Sequence, residues 1–169
     1  MEFSASHVCA LPSLSAEENQ AIYGDGANPH GHGHNYVLEV TLAGEPHPVT
    51  GMIFDLKELK EIVNREVIDP MDHRFLNREV PPFDRVVPTA ENLAIEIWRR
   101  LCPKLQLGQG RLHKVRVYET DDLFVDYDGQ PYPASVSLSA TSSASAAAPA
   151  PAPHEGVTQP VPATAKGEA

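Results

Sequence analysis

The chain has 169 residues, enough for one domain of ordinary size. Residues 134–169 hold 11 Ala, 6 Ser and 5 Pro and no aromatic side chain, too little apolar surface to offset the entropy of ordering them. They are expected to form a disordered tail behind a folded unit of residues 1–133, whose 12 basic and 21 acidic side chains repel phosphate backbones and exclude nucleic acid as a partner.

Two cysteines, Cys9 and Cys102, do not make a disulfide framework and fit a reducing compartment. Met1-Glu2-Phe3-Ser4 lacks the basic and apolar pattern of a signal peptide, and no apolar run approaches the ~20 residues of a membrane helix. A cytoplasmic protein with no membrane partner is expected.

In chain order, Phe3 to Cys9 alternates as a strand does, and Tyr36, Leu38, Val40 and Leu42 alternate with Val37, Glu39 and Thr41 as a half-buried strand. Thr50-Gly51 reads as a turn that sends Met52-Ile53-Phe54 back as a hairpin strand. Asp55, with Glu58 three residues on, forms a capping-box pattern ahead of a helical stripe of Leu56, Leu59, Val63 and Val67 that stops at Pro70. Thr89 caps a second helix carrying the stripe Leu93, Ala94, Ile97, Trp98 and Leu101, with Glu91, Glu96, Arg99 and Arg100 facing away and Pro103 closing it. Val115, Val117 and Glu119 share one face of a further strand, and Leu123 to Tyr127 form a short last one. This order predicts an α+β fold, an antiparallel sheet with helices on one face.

The chemistry concentrates in Pro29-His30-Gly31-His32-Gly33-His34-Asn35. On an extended chain His32 and His34 point to one face, about 6.6 Å apart, and glycines leave the backbone free to approach an ion. A third imidazole from a neighbouring strand, for which His7 is the candidate, would make a three-histidine site with an open position, suited to catalytic zinc. The same run also reads as a polar, glycine-rich loop. Asp72-His73 is an acid–imidazole pair that can shuttle protons or serve as a loop ion pair. Glu119, on an inward strand face, needs a partner or a ligand's donors unless it lies at a wet strand end.

Phe3-Ser4-Ala5-Ser6-His7, Tyr23-Gly24, Pro29 to Tyr36, Gly51-Met52, Asp72-His73, Pro88-Thr89-Ala90-Glu91-Asn92 and Val117-Tyr118-Glu119-Thr120 occur in the order found in 6-pyruvoyl-tetrahydropterin synthases and the related 6-carboxy-tetrahydropterin synthases of queuosine biosynthesis. The resemblance spans about residues 2–129. It implies the tunnelling fold, a four-stranded antiparallel sheet with two helices on one face that oligomerises into a β-barrel as a homohexamer, a dimer of trimers. By the same resemblance His7, His32 and His34 look like Zn2+ ligands, Glu119 like the pterin anchor, Thr89 and Glu91 like pocket residues, and Asp72 and His73 like a proton relay. The implied substrate is 7,8-dihydroneopterin triphosphate, whose side-chain oxygens zinc would hold while triphosphate is lost, giving a 6-pyruvoyl or 6-carboxy tetrahydropterin.

One departure stands out. Where the family has a cysteine base, six residues before the second zinc histidine, this chain has Gly26. Cys9, activated to a thiolate by the nearby metal, Asp25 and His30 are candidate replacements. The loss also leaves open side-chain cleavage to 6-hydroxymethyl-dihydropterin for folate synthesis, or a homologue that binds pterin and metal without catalysis.

Overall fold

The computed structural model describes residues 1–105 and 110–130, and the tail expected from residue 134 onward lies outside them. β1 (Glu2–His7) pairs antiparallel with β2 (His32–Gly44), which pairs with β4 (Gly110–Tyr118), itself antiparallel to β5 (Phe124–Tyr127). The strand order is β3-β1-β2-β4-β5, where β3 (Arg74–Phe75) lies parallel to β1. The sheet is therefore five-stranded and mixed rather than four-stranded and antiparallel. Two residues were too short a run to give β3 a period in the sequence.

Alternation decides which face is core. Phe3, Ala5 and His7 of β1 are buried, as are Tyr36 and Leu38 of β2 and Val115 and Val117 of β4. A bulge opposite Thr41 and Leu42 lets β4 skip one residue, so Leu112 and Val115 both face inward despite their odd separation. Onto this face pack α2 (Leu56–Val63) and α5 (Ala90–Leu101), through Ile62, Val63, Leu93, Ala94, Ile97 and Leu101.

The helix at 56 is capped by Asp55, whose carboxylate accepts the Lys57 N–H at 2.8 Å. It does not end at Pro70. After Val63 it widens into a π turn (Asn64–Ile68) and closes with α3 (Asp69–Met71), where the proline occupies a first-turn position that needs no N–H. Val63, Val67 and Met71 are buried, whereas Leu56, counted in the stripe, is largely exposed. Met52 to Phe54 form no strand. Their approach is a local turn, in which Gly51 N–H donates to the His47 carbonyl and His47 N–H to the Met52 carbonyl, and the chain then passes directly to the Asp55 cap.

Two further helices escape the periodicity, α1 (Ala16–Tyr23) and α4 (Leu76–Glu79). In α1 only Asn19 is buried, so there is no apolar stripe to read, but Ser15 and Glu18 form a reciprocal capping box. Among the described residues no helix is long and apolar enough to cross a membrane. Ile97 is fully buried where α5 meets the sheet, so Ile97→Ala is expected to lower unfolding stability by about 2–5 kcal/mol. Urea denaturation with an unchanged m-value checks it.

Candidate metal centre and adjoining cavity

The β1–β2 register puts His7 opposite His32 and Ala5 opposite His34. Because His32, His34 and Tyr36 alternate inward on β2, three imidazoles converge at the end of the inward face, just beyond the apolar core. Ring centroids are 4.4 Å apart for His7 and His32, 5.3 Å for His7 and His34, and 5.0 Å for His32 and His34. One nitrogen from each lies within 4.8 Å of the others.

The glycines between the histidines serve the sheet rather than an ion. A Cβ on Gly33 would stand 3.0 Å from the Ala5 carbonyl oxygen. Gly31, at φ +77°, would bring one to 3.1 Å from the His7 carbonyl and 3.0 Å from the Phe75 ring.

His7 is 1% exposed. Its Nδ1 stands 2.6 Å from the Pro88 carbonyl, an acceptor only, so Nδ1 carries the proton and Nε2 presents its lone pair to the cluster. The Tyr36 hydroxyl, 3.3 Å away, donates to that Nε2; burial pushes the phenol's pKa well above its usual value and keeps it protonated. Burial also lowers the His7 pKa to about 4, with the charges of His32 and His34 adding to the shift and the Pro88 bond opposing it. The His34 pKa is lowered by burial too, against the pull of Glu119. His32 Nδ1 and His34 Nε2 are buried without a hydrogen-bond partner. Imidazole nitrogens within 4.8 Å of one another, two of them orphaned, are the donor set of a zinc site, and leaving such an atom unpaired costs about 1–3 kcal/mol. The residues fit the ion.

Glu119 follows the last residue of β4 and brings Oε1 to 3.4 Å from His34 Nε2 and 3.7 Å from His7 Nε2. It also lines a cavity of about 250 Å³ with Cys9, Thr89, Glu91, Asp122 and Phe124. Thr89 caps α5 by accepting the Asn92 N–H, so the helix start that orients His7 through Pro88 also walls the cavity. The structure thus brings together His7, His32, His34, Glu119, Thr89 and Glu91. Tyr36 and the Pro88 carbonyl were missed. Tyr36 was legible as the next inward residue after His34, whereas a carbonyl 81 residues from its partner left no signal.

Asp72 and His73 lie elsewhere. Their ion pair is 2.8 Å long, and His73, at φ +57°, opens onto a cleft lined by the outward residues Ser4, Ser6 and Asn35. The Ser4 N–H and then His73 hold the Asp72 carboxyl below its usual range. Asp25 and His30 are exposed and outside the cavity lining. Cys9 is at the cavity wall, its Sγ 3.9 Å from His7 Nδ1. In the metal-free chain burial, followed by the charges of Glu119 and Glu91, pushes the thiol up to about 11.

A family model for 6-pyruvoyl tetrahydropterin synthase matches residues 1–130. The chain belongs to this family. The 6-pyruvoyl tetrahydrobiopterin synthase of Homo sapiens is 45% identical over 130 residues, covering 77% of this chain and 88% of that one. A putative 6-carboxy-5,6,7,8-tetrahydropterin synthase of Archaeoglobus fulgidus is 36% identical over 95 residues, 56% of this chain and 73% of its own. The solved Caenorhabditis elegans 6-pyruvoyl tetrahydropterin synthase superposes with a TM-score of 0.70 at 38% identity, covering 76% of this chain and 91% of that one.

The His7 shift makes this family member's metal-free stability depend on pH. Between about 6.5 and about 4 the unfolded chain takes up a proton that folded His7 refuses, so stability falls as pH falls through that window. The expected slope approaches 1.4 kcal/mol per pH unit at most. Urea melts of chelator-treated protein at pH 7 and 5 should show the loss, and His7→Gln should shrink it.

Proposed function

We propose that the chain is a zinc-dependent lyase that converts 7,8-dihydroneopterin triphosphate to a 6-substituted tetrahydropterin with loss of triphosphate. The observation that carries this reading is the pair of orphaned buried nitrogens on His32 and His34, set beside a cavity whose wall includes Glu119. His7, His32 and His34 would hold the ion, which supplies Lewis-acid polarisation of side-chain oxygens. Pro88 fixes the His7 tautomer, and the Tyr36 hydroxyl yields its bond to Nε2. The Glu119 carboxylate can accept two parallel hydrogen bonds from the pterin ring N–H and exocyclic amine, with Thr89 and Glu91 flanking the ring.

Asp72 and His73 are the proposed relay. Within one chain His73 lines the cleft over Ser4, Ser6 and Asn35, and neither residue lines the Glu119 cavity, so the role would be exercised in the proposed cytoplasmic homohexamer, where that cleft would meet a neighbouring copy.

Mass spectrometry of the product tests the reading. Zinc-loaded protein incubated with 7,8-dihydroneopterin triphosphate should release a 6-pyruvoyl or 6-carboxy tetrahydropterin, and His32→Ala should abolish both bound zinc and product. A 6-hydroxymethyl product would redirect the reaction to side-chain cleavage, and unchanged substrate would mark a binding homologue. Glu119→Gln, which keeps shape but loses an ionic acceptor, is expected to weaken pterin affinity by roughly 10–100-fold, or about 1.5–3 kcal/mol, measured by fluorescence titration with the metal in place.

A further inference from the structure

Resting on that reading, we propose that Asn92 is a positioning residue for the metal centre: its side-chain amide holds the turn that aims the Pro88 carbonyl at His7. Asn92 belongs neither to the triad nor to the cavity lining, so its part in the run Pro88-Thr89-Ala90-Glu91-Asn92 is indirect.

Three successive carbonyls at the start of α5 have separate destinations. Val87 accepts two donors, the Thr89 N–H at 2.9 Å and the Asn92 Nδ2 at 2.8 Å. Thr89 accepts the Leu93 N–H at 2.9 Å, the first bond of the helix. Pro88, between them, is left to His7 Nδ1 at 2.6 Å. The bond from Thr89 to Val87 closes a tight turn centred on Pro88, and the central φ of about −75° that such a turn takes is close to what the proline ring imposes.

The turn needs a tie of its own. Asp84, Arg85 and Val86 ahead of it are exposed, and Pro88 has no N–H with which to fasten itself. Asn92 supplies the tie from the helix side. Its backbone N–H donates to Thr89 Oγ1 at 3.4 Å while its amide reaches back to Val87, so one residue grips both neighbours of Pro88. Any residue at position 92 would offer that backbone N–H to the cap. What asparagine adds is the bond to the turn. Leu93, Ala94 and Ile97 anchor α5 in the core, so the path runs from the core through Asn92 and Val87 to Pro88, and from Pro88 to the imidazole. An outer partner that orients a ligating histidine typically contributes about 10–100-fold to metal affinity.

Two variants and two readouts test this. Asn92→Asp removes the Nδ2 donor but keeps the shape, and a carboxylate suits the first turn of a helix. Asn92→Ala removes the side chain and favours the helix itself. In both, zinc affinity measured by competition with a chromophoric chelator is expected to fall about 10–100-fold. In metal-free protein labelled with 15N at histidine, the ring-nitrogen shifts of His7 at pH 7 should pass from a single Nδ1-protonated tautomer to a mixture. A general loss of helix stability would not move those signals. Ile97→Ala, which weakens the same helix, should therefore leave zinc affinity and the His7 tautomer as they are. Unchanged zinc affinity in the two Asn92 variants, an unchanged tautomer, or equal losses in Ile97→Ala would each overturn the inference. Wild-type protein that takes up no zinc would overturn the proposed function instead, with the His7 tautomer still deciding the role of Asn92.

Discussion

The antiparallel register of β1 on β2 is the constraint from which the rest follows. Pairing Phe3 with Tyr36, Ala5 with His34 and His7 with His32 sends an apolar stack and three imidazoles to the same face of one sheet. Phe3 and Tyr36 stack at 5.0 Å between centroids and anchor the apolar end. A slip of β1 by one residue would turn His7 to the outer face and Ser4 and Ser6 inward, and would break up the triad. The core therefore holds the triad in place as a by-product of burying its own side chains, and no separate device is needed to align His7 with His32.

The site is costly to keep without a ligand, and its surroundings show how the cost is contained. Burial opposes the charging of His7 and His34, and Pro88 fixes the tautomer of the deeper one. The Glu119 carboxylate approaches His34 and His7 from the cavity side. Two nitrogens remain without partners. A cation is the one occupant that pairs with all three lone pairs at once, whereas a water has only two protons to donate.

Elements with a period were legible from the sequence, and elements without one were not. β2 and α5 each carry a full inward stripe, and Thr89 and Asp55 cap as their residue types suggest. β3 owes its existence to the neighbouring strand: His73 N–H donates to the Ser4 carbonyl and Asp72 accepts the Ser4 N–H, bonds that only the folded chain supplies. α1 escaped because its buried residue is Asn19, whose amide satisfies the carbonyls of Leu11 and Leu14 instead of packing in the core. The triad was readable because strand alternation is local, and the placement of Asp72-His73 was not because it depends on which side of the sheet edge the chain turns. At Cys9 burial and two nearby carboxylates raise the thiol pKa, against the lowering expected from a metal's charge.

The charge of the chain constrains how a triphosphate could be handled. Glu91, Glu119 and Asp122 give the cavity three carboxylates, and among the described residues no Lys or Arg lines it. Such a wall suits the N–H-rich edge of a pterin and repels phosphate, so on the proposed reaction the substrate enters ring first with its triphosphate directed outward. An acidic protein surface screened over about 8–10 Å then adds nothing to triphosphate binding and favours its departure. Ground-state affinity would rest on the ring and the side-chain oxygens, which are the groups whose bonding changes in the reaction, and the leaving group would be held by little beyond its own covalent bond.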